Sequence, residues 1–193
     1  MSPNLDLWPI GNCQVSALVD SNGRFVWACV PRVDGDPLFS ALLAGDDPEA
    51  GYWSIDLEDV AATYQSYRRN TPILVTRHRD RTGGEIEVVD FCPYFQRAGR
   101  GYRPVAFARM VRPVAGSPRI RMRLRPTSDW GVPCGKVVGG SNHVRYHTGP
   151  VTLRLTTTAP VGLVIEERAF RLERPIHFFL GPDESFSGDI ATT

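Results

Sequence analysis

The chain has 193 residues, of which 42% are hydrophobic and 22% charged, enough to build the core of one large domain or two small ones. Its 22 basic and 21 acidic side chains leave a formal net charge of +1, which argues against a surface for nucleic acid or anionic membranes. No apolar run approaches the ~20 residues of a membrane helix, and residues 1–6 lack the basic and apolar stretches of a secretory signal. We therefore expect a cytoplasmic protein that binds neither nucleic acid nor membrane.

The sequence opens with a pattern that predicts a β-hairpin. Residues 14–20 and 24–30 are apolar runs joined through Asn22-Gly23, the dipeptide that best suits a type I′ turn. Both runs are apolar on both faces, which predicts that the strands are covered on both sides, inside a layered β structure or under a second domain.

A short helix is expected next, over residues 37–44. Asp36 is a good N-cap and Pro37 suits the first helical position. Leu38, Phe39, Leu42 and Leu43 follow at helical spacing, and Gly45 can end the turn.

The rest of the chain reads as short strands at intervals of roughly 8–12 residues, with glycine and proline between them. This pattern is typical of an antiparallel sandwich or barrel. No linker or internal repeat interrupts it, so we expect one all-β domain spanning residues 1–193. The strands are expected at residues 52–57, 63–67, 73–79, 85–92, 105–112, 119–125, 143–147, 151–157, 161–166, 169–173 and 176–180.

The four cysteines are Cys13, Cys29, Cys92 and Cys134, and no two of them form a CxxC pair. In a cytoplasmic protein we expect them to be reduced thiols that pack as small apolar groups.

Three groups of segments, taken in order, resemble one known family. The first is Ile10-Gly11-Asn12 followed by Trp27-Ala28-Cys29-Val30-Pro31-Arg32-Val33-Asp34. The second is residues 70–77 followed by Val88-Val89-Asp90-Phe91-Cys92-Pro93. The third is Arg109-Met110-Val111-Arg112, residues 122–126 and Asp129-Trp130-Gly131. Together they are similar to the N-terminal domain of glycoside hydrolase family 15 proteins, in the glucoamylase and trehalase-like branch. The likeness covers residues 7–131, and Val33 stands where that family usually has Phe.

The resemblance implies a large antiparallel β-sandwich that precedes an (α/α)6 barrel carrying the catalytic carboxylates. Such a barrel needs on the order of 200 residues, so we expect it to follow Thr193, outside this chain. The chain itself would then be a non-catalytic accessory domain without cofactor or metal. The parent enzyme would hydrolyse the α-glucosidic bond of an α-glucan, a malto-oligosaccharide or trehalose with inversion. A bare barrel-facing surface would also favour self-association.

Four residues are candidates for the rim of the substrate entrance or for the interface with the barrel. Arg32 and Asp34 lie in a polar segment directly after the first hairpin; the alternative is an internal ion pair that fixes this loop. Asp129 and Trp130 lie in a Gly-bounded loop, where the tryptophan could be core, an interface anchor or a sugar platform. A competing hypothesis is an independent carbohydrate-binding module that uses an exposed aromatic such as Trp130 or Trp8.

Other patterns favour ordinary surface. The adjacent carboxylates point to opposite faces of a strand, and we interpret all three pairs as solvated; they are Asp46-Asp47, Glu58-Asp59 and Glu166-Glu167. His143, Arg145 and His147 share one face of a predicted strand. The positive charge of the arginine disfavours a bound metal cation there, so we do not expect these histidines and Cys134 to form a metal site. In residues 119–125 arginines alternate with apolar residues, which predicts a strand with a solvated face or a face paired with acids of a partner domain.

Overall fold

The computed structural model describes residues 5–45, 48–97, 99–149 and 151–183, which are mostly antiparallel strands. The predicted pair Asp46-Asp47 and the expected domain end at Thr193 lie outside these residues. Within the described ranges the helical segments are a 3-10 turn (Ala41–Leu43) and a short helix α1 (Val161–Ile165). No helix in these ranges has the length and apolar character needed to cross a bilayer. The strands are β1 (Leu7–Gly11), β2 (Ser16–Asp20), β3 (Phe25–Cys29), β4 (Pro37–Phe39), β5 (Tyr52–Leu57), β6 (Val60–Tyr67), β7 (Leu74–Asp80), β8 (Glu85–Phe91), β9 (Phe95–Arg97), β10 (Arg100–Tyr102), β11 (Phe107–Ala115), β12 (Arg119–Arg125), β13 (Thr127–Ser128), β14 (Val132–Pro133), β15 (Lys136–Gly139), β16 (His143–His147), β17 (Thr152–Thr157), β18 (Phe170–Arg171) and β19 (Ile176–Pro182).

Two large sheets make up the body of the fold. Sheet A has the order β1-β2-β3-β5-β12-β18, with β4 also paired to β3. Sheet B has the order β15-β16-β17-β19-β11-β8-β7-β6. Two short pairs, β9 with β10 and β13 with β14, lie outside the two sheets. The all-β sandwich expected from the sequence is confirmed.

Aromatic rings from both sheets meet in the core. Phe25, Phe39 and Trp53 of sheet A are almost completely buried, as are Phe107 and Phe178 of sheet B. Phe25 and Phe107 meet edge to face with ring centroids 5.8 Å apart, and Trp53 meets Phe178 at 6.4 Å. Truncating such a buried ring to alanine typically costs about 3–5 kcal/mol, so this cluster stabilises the contact between the sheets.

A buried ion pair bridges the same region. Arg109 on β11 and Asp90 on β8 have side chains that are 1% and 0% exposed. The guanidinium donates to both carboxylate oxygens, from Nε at 2.8 Å and from Nη2 at 3.1 Å. It also crosses to sheet A, where it donates to the carbonyls of Trp53 at 2.7 Å and Gly23 at 2.6 Å. Its Cζ lies 4.3 Å from the centre of the Phe25 ring, so charge, hydrogen bonds and ring contact are satisfied together.

The β2–β3 turn differs from the predicted type I′ turn. Gly23 has a φ of 75°, whereas Asn22 keeps a negative φ. The Gly23 N–H donates to the Asp20 carbonyl at 2.9 Å, so the loop is a type I turn followed by a left-handed glycine. The Asp20 carboxylate accepts the N–H groups of Asn22 and Arg24, which favours this tighter arrangement.

The prediction of a helix over residues 37–44 is wrong for most of these residues. Residues Pro37–Phe39 form β4, which pairs with β3 and buries Leu38 and Phe39. Only the 3-10 turn Ala41–Leu43 follows, because strand pairing outweighs helical spacing here. Conversely, the strand expected over residues 161–166 is α1, since short apolar runs do not distinguish the two structures.

The hairpin is apolar on both faces, as predicted. On the side of sheet A away from the main core, Val26, Ala41 and Tyr52 form a second buried cluster, with Leu18 and Leu42 packed against it. Part of the cover is therefore the chain's own 3-10 turn. Leu18 and Leu42 remain only partly buried, which leaves an apolar outer face on this sheet.

Asn12 fixes the first hairpin to the loops at the end of sheet B. Its Nδ2 donates to the carbonyls of Pro93 at 2.8 Å and Pro104 at 2.9 Å. Its Oδ1 accepts the N–H groups of Gln14 and Val15, both at 3.0 Å. All of its hydrogen-bonding capacity is therefore used inside the fold, although it is a polar residue that is only 7% exposed.

The cysteines are free thiols, as expected. Cys29 and Cys92 are buried, whereas Cys13 is exposed and Cys134 is half-buried, so only two of them pack as small apolar groups. Burial, with a smaller effect of Asp90, raises the pKa of Cys92 to about 12, which makes this thiol unreactive at neutral pH.

We expect Asp90→Asn to lower the free energy of unfolding by about 3–5 kcal/mol, because it leaves the Arg109 charge buried without its counterion. Urea denaturation measures the change. The control is Glu58→Gln, which breaks the exposed pair with Arg119 and should change stability only slightly. Equal losses in the two variants would contradict the importance of the buried pair.

Acid should destabilise the fold through His78. This ring is 5% exposed and is hydrogen-bonded to Thr63 at 3.0 Å. Burial and then the nearby Arg109 charge lower its pKa to about 4, from an ordinary value of 6.5. The unfolded state therefore binds the proton first, and stability that is complete above about pH 6.5 falls as the pH approaches 4.

The expected result is that His78→Gln removes much of the pH dependence of the urea midpoint between pH 6.5 and 4. The control is His177→Gln, at a histidine that is partly exposed. This variant should show the same dependence of the urea midpoint on pH as the wild type. A wild-type slope in His78→Gln would show that other groups cause the acid sensitivity.

Candidate functional site

The predicted residues lie on two loops that the structure joins. The first loop follows β3 and contains Arg32 and Asp34; the second follows β13 and contains Asp129 and Trp130. We call these two loops, residues 30–36 and 128–131, the rim loops. They are the part of the surface where the residues predicted for the rim or interface are brought together.

Arg32 and Asp34 form a bidentate ion pair. Arg32 Nε lies 2.9 Å from Asp34 Oδ1, and Nη2 lies 2.9 Å from Oδ2. Hydrogen bonding and charge from Arg32 hold the pKa of Asp34 below its ordinary value, and Asp34 raises the pKa of Arg32. The side chains are 75% and 65% exposed, so the pair links two residues of one loop and remains open to solvent.

The second loop has an uncommon backbone. Asp129, Trp130 and Gly131 have φ angles of 46°, 59° and 132°, and the left-handed region costs a non-glycine residue roughly 1–2 kcal/mol. Such a backbone points successive N–H groups to one side and binds anions. The Asp36 carboxylate occupies that position, accepting the N–H of Asp129 at 2.5 Å and of Trp130 at 2.8 Å.

Asp36 is thus the residue that joins the rim loops, and sequence reasoning assigned it a different role. It was expected to cap a helix, but its carboxylate binds backbone groups 93 and 94 positions later. The acceptor chemistry was correctly anticipated, since capping and this contact both satisfy backbone N–H groups. The partner could not be read from local spacing.

Trp130 is held out into solvent by this arrangement. It is 67% exposed, and its ring centroid lies 6.5 Å from that of Trp27 on β3, at an interplanar angle of 51°. Trp27 itself is half-buried. The pair continues the apolar outer face of sheet A onto the rim loops, an arrangement suited to anchoring another molecule.

Trp8, the other aromatic considered as a sugar platform, is placed differently. It is half-buried and its ring contacts that of Tyr67 in a tilted arrangement, with ring centroids 5.3 Å apart. The Tyr67 hydroxyl in turn donates to the Pro9 carbonyl at 2.8 Å. Trp8 is therefore part of the packing between β1 and β6, and Trp130 is the more exposed candidate.

The space beneath the rim loops is too small for a sugar. A cavity of about 30 Å³ lies between Asp36, Leu38, Thr127 and neighbouring residues, whereas small-molecule pockets typically measure about 300–1,000 Å³. A sugar or a protein partner would therefore contact the rim loops from outside.

Three of the described carboxylates set aside as surface are engaged by arginines of the same chain. Glu58 pairs with Arg119 at 2.8 Å, and Glu166 pairs with Arg168 at 3.3 Å. Glu167 takes part in a bidentate contact with Arg125. Arg123 also pairs with Asp56 at 2.7 Å. Most of the arginines on this face of β12 are therefore paired with carboxylates of the same chain, and not left for the acids of a partner domain.

The residues considered as metal ligands, Cys134, His143 and His147, make other contacts. Along β16, His143, Arg145 and His147 share one face, as predicted, and Arg145 pairs with Asp183 at 2.8 Å. The Cys134 Sγ lies within hydrogen-bonding distance of two backbone carbonyls, 3.4 Å from that of Lys136 and 3.3 Å from that of His147. Among the residues that the structure describes, no three His, Cys, Asp or Glu side chains are grouped as metal ligands would be.

The fold and the rim loops define an all-β domain whose distinctive polar surface is a pair of joined loops beside an apolar sheet face. The family model described as trehalase-like, N-terminal, matches residues 6–162. The chain belongs to this family of trehalase-like N-terminal domains.

Two curated relatives agree with this assignment. A trehalase of Thermoplasma volcanium is 28% identical over 127 residues, which is 63% of this chain and 19% of the relative. Trehalase 1 of Sulfolobus acidocaldarius is 39% identical over 90 residues, which is 46% of this chain and 15% of the relative. The match thus spans less than a fifth of the length of either trehalase. No solved structure matches the chain significantly.

Replacing Asp36 should loosen the rim loops. Asp36→Ala removes both acceptors for the N–H groups of Asp129 and Trp130, so we expect a loss of about 1–3 kcal/mol in the free energy of unfolding and faster proteolysis within residues 128–131. Asp34→Ala is the control, because its carboxylate binds the exposed Arg32 and not the second loop. Unchanged proteolysis in Asp36→Ala would contradict the role assigned to this carboxylate.

Proposed function

We propose that this chain is the non-catalytic N-terminal accessory domain of a glycoside hydrolase family 15 enzyme of the glucoamylase or trehalase type. In this proposal it packs on an (α/α)6 catalytic barrel that follows Thr193, and stabilises it. The parent enzyme is cytoplasmic and hydrolyses the α-glucosidic bond of trehalose, a malto-oligosaccharide or an α-glucan with inversion. The family assignment and the two trehalases support the parent class.

The observation that carries the packing role is Trp130 at the edge of an apolar sheet face. Trp130 is 67% exposed, and its loop is fixed because its own N–H and that of Asp129 donate to the Asp36 carboxylate. The loop therefore loses little conformational entropy when the ring enters a partner's pocket. Behind it, Trp27, Leu18 and Leu42 continue the apolar surface of sheet A. Tryptophans that become buried when two proteins associate are typical anchors of protein interfaces.

The ion pair gives the same surface a polar border. Arg32 and Asp34 are already hydrogen-bonded to each other, so covering them with another domain does not leave a single charge unpaired. The remaining N–H groups of the guanidinium and lone pairs of the carboxylate stay available to a partner or to a sugar hydroxyl. We assign Arg32, Asp34, Asp129 and Trp130 to the rim of the barrel or to its interface on this basis.

Catalysis is assigned to the barrel and not to this chain. Inverting hydrolysis needs one carboxyl group as general acid and one as general base, on opposite sides of the scissile bond. Of the carboxylates considered as candidates here, Glu58, Glu166 and Glu167 are each bound by an arginine of the same chain. That arrangement suits folding and not proton transfer.

A carbohydrate-binding module is the second candidate, favoured by the adjacent rings of Trp130 and Trp27. Sugars stack on exposed aromatic faces, and Trp130 offers one. Calorimetric titration of this chain with trehalose and with maltoheptaose separates the two functions. The accessory-domain proposal expects no heat of binding at millimolar sugar, whereas a module would bind and would lose binding in Trp130→Ala.

Substitution of Trp130 in the native polypeptide tests the packing role. We expect Trp130→Ala to lower the temperature at which the enzyme loses its catalytic activity, because an interface anchor is lost. Tyr64→Ala is a matched control, since Tyr64 is also 67% exposed but lies on β6 at the edge of sheet B. Equal thermal inactivation of Trp130→Ala, Tyr64→Ala and the unsubstituted enzyme would overturn the proposal.

A further inference from the structure

The strand β6 lies at one end of sheet B, and its outer side is open. It is the last strand in the order of this sheet, and it pairs with β7. None of its eight residues is buried. A strand at the end of a sheet presents a row of N–H and C=O groups with which another strand can pair. The proposed accessory function gives this edge no role.

The other strands at the ends of the two sheets are protected against such pairing. β18 has two residues and β15 has four, the first of which is a lysine. β1 contains Pro9, which has no N–H to donate. Short strands, lysine and proline are common means of blocking an edge. β6 has eight residues, without proline and without a charged side chain, so its sequence lacks these blocks.

The main-chain groups of alternate β6 residues point to the open side. The Arg68 N–H donates to the Ile73 carbonyl at 2.9 Å, which continues the register of β6 with β7. Because bonded pairs alternate along an antiparallel ladder, the residues two, four and six positions before Arg68 bond to β7. The residues between them direct their N–H and C=O groups outward; they are Thr63, Gln65 and Tyr67. The register shifts only between Val60 and Ala62, before these three residues.

The side chains of these three residues fix the edge in place. Each of them is hydrogen-bonded inside the fold, and the contacts are Thr63 Oγ1 with His78 Nδ1 at 3.0 Å, Gln65 Nε2 with the Asp20 carbonyl at 2.9 Å, and the Tyr67 hydroxyl with the Pro9 carbonyl at 2.8 Å. The last two contacts reach strands of sheet A. A strand that is already held in this way loses little conformational entropy when a second strand pairs with it.

The outward groups of β6 are complementary to those of a second copy of the chain. An antiparallel copy related by a two-fold axis at Gln65 would pair Gln65 with its own equivalent. The same axis would pair Thr63 with Tyr67 of the second copy, and Tyr67 with its Thr63. Each outward N–H would then donate to a carbonyl of the other copy, which is the self-complementary contact that a two-fold dimer requires.

This pairing also brings no two like charges together. Residues 62–67 are uncharged, and Arg68 follows them. In the register about Gln65, Arg68 lies opposite Ala62 of the second copy. Like charges directly opposite each other would destabilise two paired strands, and here an arginine meets an alanine at both symmetric positions.

We propose that two copies of this chain associate through β6, paired antiparallel about Gln65, so that their B sheets form one continuous sheet. The surface shares no residue with the rim loops or with the apolar outer face of sheet A, so the proposal is independent of the accessory function. It also differs from self-association through a bare barrel-facing surface, because main-chain hydrogen bonds hold the two copies together.

Charge substitutions at Ala62 and Arg68 test this pairing. Sedimentation velocity of this chain and of the native polypeptide, at concentrations up to about 1 mM, should show a monomer–dimer equilibrium. Ala62→Lys places like charges opposite each other at two symmetric positions and should raise the dissociation constant of the dimer about 2- to 30-fold. Adding Arg68→Glu to this variant should restore the affinity, because opposite charges then face each other. The control is Trp130→Ala, which should leave the dissociation constant unchanged.

Amide hydrogen exchange measured by NMR gives a second readout, which a general loss of stability would not reproduce. The three outward N–H groups should exchange more slowly as the protein concentration rises. The alternate N–H groups that bond to β7 should show no such dependence.

A monomer at every concentration would overturn the proposal. A dimer that is weakened by Trp130→Ala and not by Ala62→Lys would also overturn it, because the apolar face of sheet A would then join the copies. The same holds for a dimer of this chain that is absent from the native polypeptide, since another part of the protein would then cover β6.

Discussion

The contact between Arg109 and Asp90 determines how the two sheets are joined. Asp90 and Arg109 lie on neighbouring strands of sheet B, and the guanidinium extends from there to the carbonyls of Gly23 and Trp53 in sheet A. One side chain thereby satisfies a buried carboxylate and two buried backbone oxygens, and its face packs on Phe25. Because none of these groups has water as an alternative partner, the turn after β2, the centre of β5 and the middle of sheet B must keep one relative position.

From this fixed centre, the structure presents two surfaces of different chemistry. Sheet A leads from its apolar outer cluster through Trp27 to the rim loops, where Asp36 holds the left-handed backbone of Asp129 and Trp130. At another place, where β12 ends, there is a mainly apolar cleft of about 490 Å³, whose lining includes Tyr146 and Glu49. The first surface combines an anchor with a neutral polar border and suits a protein partner. The second is open on one side and has the volume of a small-molecule pocket.

The sequence predicted those features that depend on local pattern. Alternation in β12 correctly placed Ile120, Met122 and Leu124 inside and the arginines outside, and the family motifs contain Asn12, Asp90 and Arg109, whose contacts join distant strands. The role of those three residues could not be predicted, because their partners lie far away in the chain. The same limit explains Asp36: a carboxylate before a proline fits a helix cap locally, but strand pairing of β4 and a nest of N–H groups about 90 residues later decided its contact.

The size of the native polypeptide tests the central claim most directly. An antibody raised against this chain can be used to probe a lysate of the source organism by immunoblotting. The accessory-domain account predicts a band heavier than the 21.4 kDa of this chain by about 20 kDa or more, the least that a barrel of roughly 200 residues would add. A band at 21.4 kDa would contradict it, since the domain would then act alone and the sugar-binding function would take its place.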